Sequence, residues 1–124
     1  MMTDSGTLLH GVEANDKMHF DFTVRLPVIR DTIEALELTA ENKGTTDGAA
    51  ANFFYRVAII ALVLTSLGNL PKEAITADLL LDQMTDDDFD LIDAQISALK
   101  KKRMDLRPKS PDTASPSSPS ESTA

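Results

Sequence analysis

The sequence predicts an α+β domain, mainly α, with an N-terminal β-hairpin followed by three to four helices packed as a small bundle and a disordered C-terminal tail. Three observations carry this reading. His19 to Leu26 alternates apolar and polar residues with the period of two that marks a half-buried strand. Between Pro27 and Arg103 the apolar residues recur at helical spacings. From Pro108 to Ala124 there are four Pro and six Ser and no Leu, Ile, Val or aromatic residue. Such a stretch buries too little apolar surface to offset its ordering entropy. The chain therefore divides into a flexible N-terminus (1–6), a single helical domain with its hairpin (7–103) and a Ser/Pro-rich tail (104–124).

In chain order, Thr7 to Val12 is the weaker first strand, and Glu13-Ala14-Asn15-Asp16 supplies the turn. In the second strand Phe20, Phe22, Val24 and Leu26 share one face, and His19, Asp21, Thr23 and Arg25 the other. Loops of two and of three residues put Leu8 on different faces. Pro27 opens a helix of about 28–42 whose apolar stripe is Ile29, Ile33, Leu36 and Ala40, with Arg30, Glu34, Glu37 and Glu41 off it. After a Gly-rich loop, a second helix runs from about Ala49 to Leu67, apolar on all sides, with Gly68 as its left-handed cap and Pro71 beyond. A short third helix spans roughly Thr76 to Gln83. The fourth is capped by Thr85, opens on Asp86, Asp87 and Asp88, carries Phe89, Ile92, Ile96 and Leu99, and closes on Lys100 to Arg103. Acids at its start and bases at its end both complement the helix dipole.

Composition excludes several functions. A net charge of -8 opposes binding to nucleic-acid phosphates, and the basic run at 100–103 is accounted for by the helix end. With no cysteine there are neither disulfides nor thiolate metal sites, which fits a cytoplasmic protein. The longest apolar run, Val57 to Leu64, is eight residues, whereas a membrane span needs about 20. The first residues resemble no secretory signal. The core is built from Leu, Ile, Val and Ala, because the aromatics are five Phe, one Tyr and no Trp.

Chemistry finds little to work with. His10 and His19 could meet across the hairpin, but two imidazoles fall short of the three or four ligands zinc takes. The acidic run at 86–90 lacks a calcium loop's glycine and glutamate: Leu91 and Ser97 stand at the sixth and twelfth positions from Asp86. Ser66 has neither a G-x-S-x-G context nor a histidine beside it. No phosphate-binding or dinucleotide motif is present. The expectation is a protein that is not an enzyme, uses no metal or other cofactor, and acts by binding another protein. Phe20, Phe22, Leu79, Leu80 and Phe89 are the candidate partner-binding residues, since three adjacent leucines on a short helix point about 100° apart and cannot all be buried.

Phe22-Thr23-Val24-Arg25-Leu26-Pro27, followed by Asp31 and Ala35, resembles the opening of tail assembly chaperones from long-tailed, Mu-like bacteriophages: a strand, R-x-P, then an acid and a helix. Leu64-Thr65-Ser66-Leu67-Gly68 resembles their Leu-x-x-Leu-Gly turn. Leu79-Leu80 with Met84, and Asp87-Asp88-Phe89-Asp90-Leu91-Ile92-Asp93-Ala94, are similar to their last two segments. The resemblance covers about 8–103. It implies a factor of the bacterial host cytoplasm that binds the tape measure protein, keeps it soluble and helps recruit tail-tube subunits. The alternative is a minor structural tail or connector subunit whose hairpin pairs edge to edge with neighbours. A weaker third reading, from charge alone, is an acidic inhibitor or DNA mimic.

Overall fold

A computed structural model describes residues 1–108. β1 (Thr3–Ala14) and β2 (Lys17–Arg25) form an antiparallel hairpin. Ala14 pairs with Lys17 around a two-residue loop, and Asn15 and Asp16 both take positive φ, 54° and 60°. That is the backbone of a type I′ turn, which Asn and Asp tolerate. Then follow α1 (Ile29–Lys43), α2 (Ala49–Val63), β3 (Leu64–Leu67), a 3₁₀ turn over Lys72–Ala74, α3 (Ala77–Gln83) and α4 (Asp86–Met104). The sheet order is β1-β2-β3, all antiparallel. Its inner face packs Leu8, Val12, Phe22, Val24, Leu64 and Leu67 against Val57, Ile60 and Val63 of α2 and Phe89, Ile92 and Ile96 of α4.

The hairpin and helices stand where the sequence puts them, with corrections. Residues 3–6, expected to be flexible, are strand: Thr3 to Gly6 pair with Arg25 to Phe22. Residues 64–67, expected as the last turn of the second helix, leave it and become β3, pairing with the free edge of β2. Gly68 consequently ends a strand rather than a helix. Its φ is 57°, its N–H donates to the Asp21 carbonyl at 2.7 Å, and a Cβ there would lie 2.1 Å from His19 Nδ1. Met104, assigned to the tail, belongs to α4. The tail expectation otherwise falls mostly outside the described residues.

Strict alternation in β2 also fails. Thr7 pairs with Asp21 but Val12 with His19, so Leu8 to Gly11 bulge out opposite Phe20 alone. The phase of β2 slips accordingly: His19 turns inward, 4% exposed, and Phe20 outward, 39% exposed. Gly11, at φ 86°, sits so close to the Phe20 ring that a Cβ would be 3.0 Å from it.

The bulge has a purpose in the packing. It turns three successive backbone N–H groups, those of Leu9, His10 and Gly11, onto the carboxylate of Asp88, at 2.6, 3.1 and 2.9 Å. Asp88 is fully buried in the first turn of α4, and its own N–H donates to Thr85 Oγ1 at 3.3 Å. Two further residues at heptad spacing continue the latch along α4. Gln95 Nε2 donates to the Ser5 carbonyl at 3.2 Å, and Lys102 Nζ to Asp4 Oδ2 at 3.1 Å. The Lys102 ammonium also holds the Asp4 carboxyl below its ordinary value.

α1 shows the largest departure. Its expected core stripe faces outward: Ile29 is 80%, Ile33 54% and Leu36 41% exposed, and Ala40 is exposed with them. The buried residues are Asp31, Ala35 and Thr39, roughly half a turn round the helix. The cause is an ion pair. Arg25 Nη1 and Nη2 grip Asp31 Oδ2 and Oδ1 at 2.7 and 2.8 Å, with both side chains largely buried. A bidentate pair of this kind fixes orientation as well as energy. Thr39 satisfies its buried hydroxyl on the Ala35 carbonyl at 2.7 Å.

Two measurements check these assignments. Asp88→Ala strands three N–H groups and should destabilise the domain by about 3 kcal/mol or more in chemical denaturation. A loss under about 1 kcal/mol would show the latch to be incidental. Gly68→Ala combines positive-φ strain with a clash on His19 and should cost about 2 kcal/mol or more, seen as a Tm drop of about 8 °C or greater.

Candidate protein-binding groove

α1 and α2 approach each other through small residues, Ala35 against Ala58, with Phe54 completing a second, smaller core. Beyond that contact the chain returns under α2 through the 3₁₀ turn and α3. Ala58, Ala61 and Ala77 are too short to fill the space between these elements. A groove of about 530 Å³ results, with Leu38, Phe54, Leu62 and Ile75 completing its apolar floor. Its rim is acidic: Glu34 and Glu41 from α1, Glu73 and Asp78 from the opposite side.

Lys72 is the basic residue in that lining, and its charge is already committed. Nζ donates to the carbonyls of Ala61, Leu62 and Leu64 at 2.8, 3.2 and 2.7 Å, satisfying the C-terminal carbonyls of α2 and the entry to β3. Burial lowers the Lys72 pKa, helped by the nearby Arg25 and opposed by Asp31 and Glu34. Arg25 Nη2 adds a bond to the Leu62 carbonyl at 3.2 Å. Arg25, Asp31 and Lys72 thus form one clasp joining the end of β2, the start of α1 and the end of α2. The Arg25 guanidinium, by its hydrogen bonds first, holds the Asp31 carboxyl below its ordinary value, and the Val28 N–H at 2.7 Å assists.

None of the five binding candidates read from the sequence lines this groove. Phe22 and Leu80 are core, 1% and 3% exposed, and so are withdrawn from any surface. Phe89 is buried as well: its ring lies 5.3 Å from that of Phe53, and the Arg56 guanidinium is stacked over both. Phe20 and Leu79 remain accessible in part, and among the three leucines it is Leu81 that is exposed. Leu38, Phe54 and Leu62 were missed. The available signal was Glu34, Leu38 and Glu41 at spacings of four and three on the side of α1 away from its stripe.

The histidines do not meet. His10 Nε2 lies 3.1 Å from Asp87 Oδ2, and His19 Nε2 3.1 Å from the Ala14 carbonyl oxygen. Among the described residues no three His, Asp or Glu side chains gather as a metal-ligand set, and no helix is long and apolar enough to cross a membrane. What the groove can do chemically is bury an apolar ridge while its rim attracts cations. No family model, curated protein or solved structure matches the chain.

The clasp makes a pH prediction. A carboxyl with a lowered folded pKa adds stability above its ordinary value and loses it as pH falls through the folded value. Asp31→Asn should therefore cost about 2 kcal/mol near pH 7 and much less near pH 2. Equal losses at both pH values, in urea denaturation, would refute the assignment.

Proposed function

We propose that the chain is a tail assembly chaperone of a long-tailed bacteriophage. In the host cytoplasm it binds the tape measure protein, keeps it soluble and assists assembly of the tail tube. It acts by binding and not by catalysis. The observation that carries this reading is the groove, an apolar trough with carboxylates on both lips. A tape measure protein is a very long helical chain, and such chains expose apolar ridges that aggregate unless covered. Helix-in-groove recognition suits that geometry, and the surplus of negative charge raises the solubility of whatever is covered.

The residues that resemble the chaperone family support the reading in a second way. Arg25, Pro27 and Asp31 stand where the hairpin hands the chain to α1, and the Arg25–Asp31 pair ties down the start of the helix whose Glu34, Leu38 and Glu41 line the groove. The rival, a virion subunit joined through hairpin edges, is less favoured. On β1 the Ser5 carbonyl and the N–H groups at 9–11 are engaged by α4, and β3 is only four residues long.

Co-expression with the tape measure protein of the same phage, followed by pull-down, tests the proposal. The larger protein should become soluble and co-purify. Glu34→Lys with Glu41→Lys, both on the rim, should lower capture by roughly tenfold while circular dichroism is unchanged. A tape measure protein that stays insoluble and unbound beside the unaltered chain would refute the reading.

A further inference from the structure

The outward stripe of α1 is independent of the groove. Ile29, Ile33, Leu36 and Ala40 follow spacings of four, three and four, the seam pattern of a two-helix coiled coil. Scattered exposed apolar residues are ordinary, but four in register on one helix face form a patch. Val28, 50% exposed, extends it at the N-terminal end. On this helix the polar Asp31 and Thr39 point inward while the isoleucines point to solvent, the reverse of a helix that serves only its own core.

The charges beside the seam select the occupant. Arg30 and Glu37 are both exposed, one heptad apart, and lie on the same flank of the stripe. In an antiparallel pair of helices a given flank meets its own counterpart, so Arg30 of each copy falls near Glu37 of the other, twice over. A parallel pair brings that flank against the opposite one, where Thr32 and the buried Thr39 stand, and gains no such match. The face is thus complementary to itself under a two-fold axis, as an isologous interface requires. The groove opens on the side of α1 that carries Leu38, well round the helix from the seam, and stays free.

We propose that a second copy of this chain docks here, α1 against α1 and antiparallel, with Ile33 and Leu36 at the centre and reciprocal Arg30–Glu37 pairs at the edge. A contact of one short helix lies below the roughly 1,000 Å² of a tight interface, so the dimer is weak and dissociates on dilution.

Sedimentation velocity across a concentration series, from roughly micromolar to millimolar, tests this on the full chain. The unaltered protein should shift from monomer to dimer. Ile33→Asp, at a solvent-facing position, should raise the dissociation constant at least about tenfold with the helical circular dichroism unchanged. Arg30→Glu alone and Glu37→Arg alone should each weaken the dimer, and the double swap should restore it. A chain monomeric at every concentration would overturn the proposal. So would a dimer indifferent to Ile33→Asp, or a double swap weaker than either single change. If the stripe instead serves another protein's helix, the chain will be monomeric throughout and that first result applies.

Discussion

A buried carboxylate has to find donors, and in this protein those donors are backbone. Asp88 sits in the first turn of α4 with no solvent access, and three consecutive N–H groups from β1 converge on it. Neither partner is stable in that form alone. The bulge would leave its N–H groups without strand partners, and the carboxylate would face a heavy desolvation penalty. Together they tie the two ends of the domain across a sequence separation of 77 between Gly11 and Asp88. They also set the height at which α4 lies along β1, so that Gln95 and Lys102 fall on Ser5 and Asp4. The edge of the first strand, otherwise a site for unwanted pairing, is engaged by this ladder.

The second constraint acts where the end of β2, the start of α1 and the end of α2 meet. Arg25 holds Asp31, and Lys72 holds the last carbonyls of α2. A bidentate grip at the first turn of α1 leaves that helix one rotational setting. In that setting its small and polar side packs inward, its leucine at 38 borders the groove, and its isoleucines meet water. The groove and the outer seam are consequences of the same ion pair, one on each side of the helix it orients.

How much of this was legible beforehand differs by residue. The place of the hairpin, the start of α1 and the frame of α4 follow from local chemistry: Glu13-Ala14-Asn15-Asp16 for the turn, Pro27 before the helix, Thr85 as a cap. The stripe of α4 is core as its spacing implies, with Phe89, Ile92, Ile96 and Leu99 all buried. The groove was not legible, because it is a space left by alanines on two elements far apart in the chain, α2 and α3, and small residues give no periodic signal. Its acidic rim likewise joins Glu34 and Glu41 to residues more than 30 positions later.

Sequence alone determined which segments are strand and which are helix wherever a cap, a turn pair or a clean period marks them, since those signals act within a few residues. It determined the acidic surface and the lack of thiol chemistry by composition. Only the tertiary structure decided that Leu64–Leu67 is a strand, because that depends on the open edge of β2 and on Lys72 terminating α2. Only it decided which face of α1 is buried. The hydrophobic pattern of that helix favours one rotation, while a charged pair formed with a residue outside the helix accompanies another, and a partner outside the helix is something no helical period can encode.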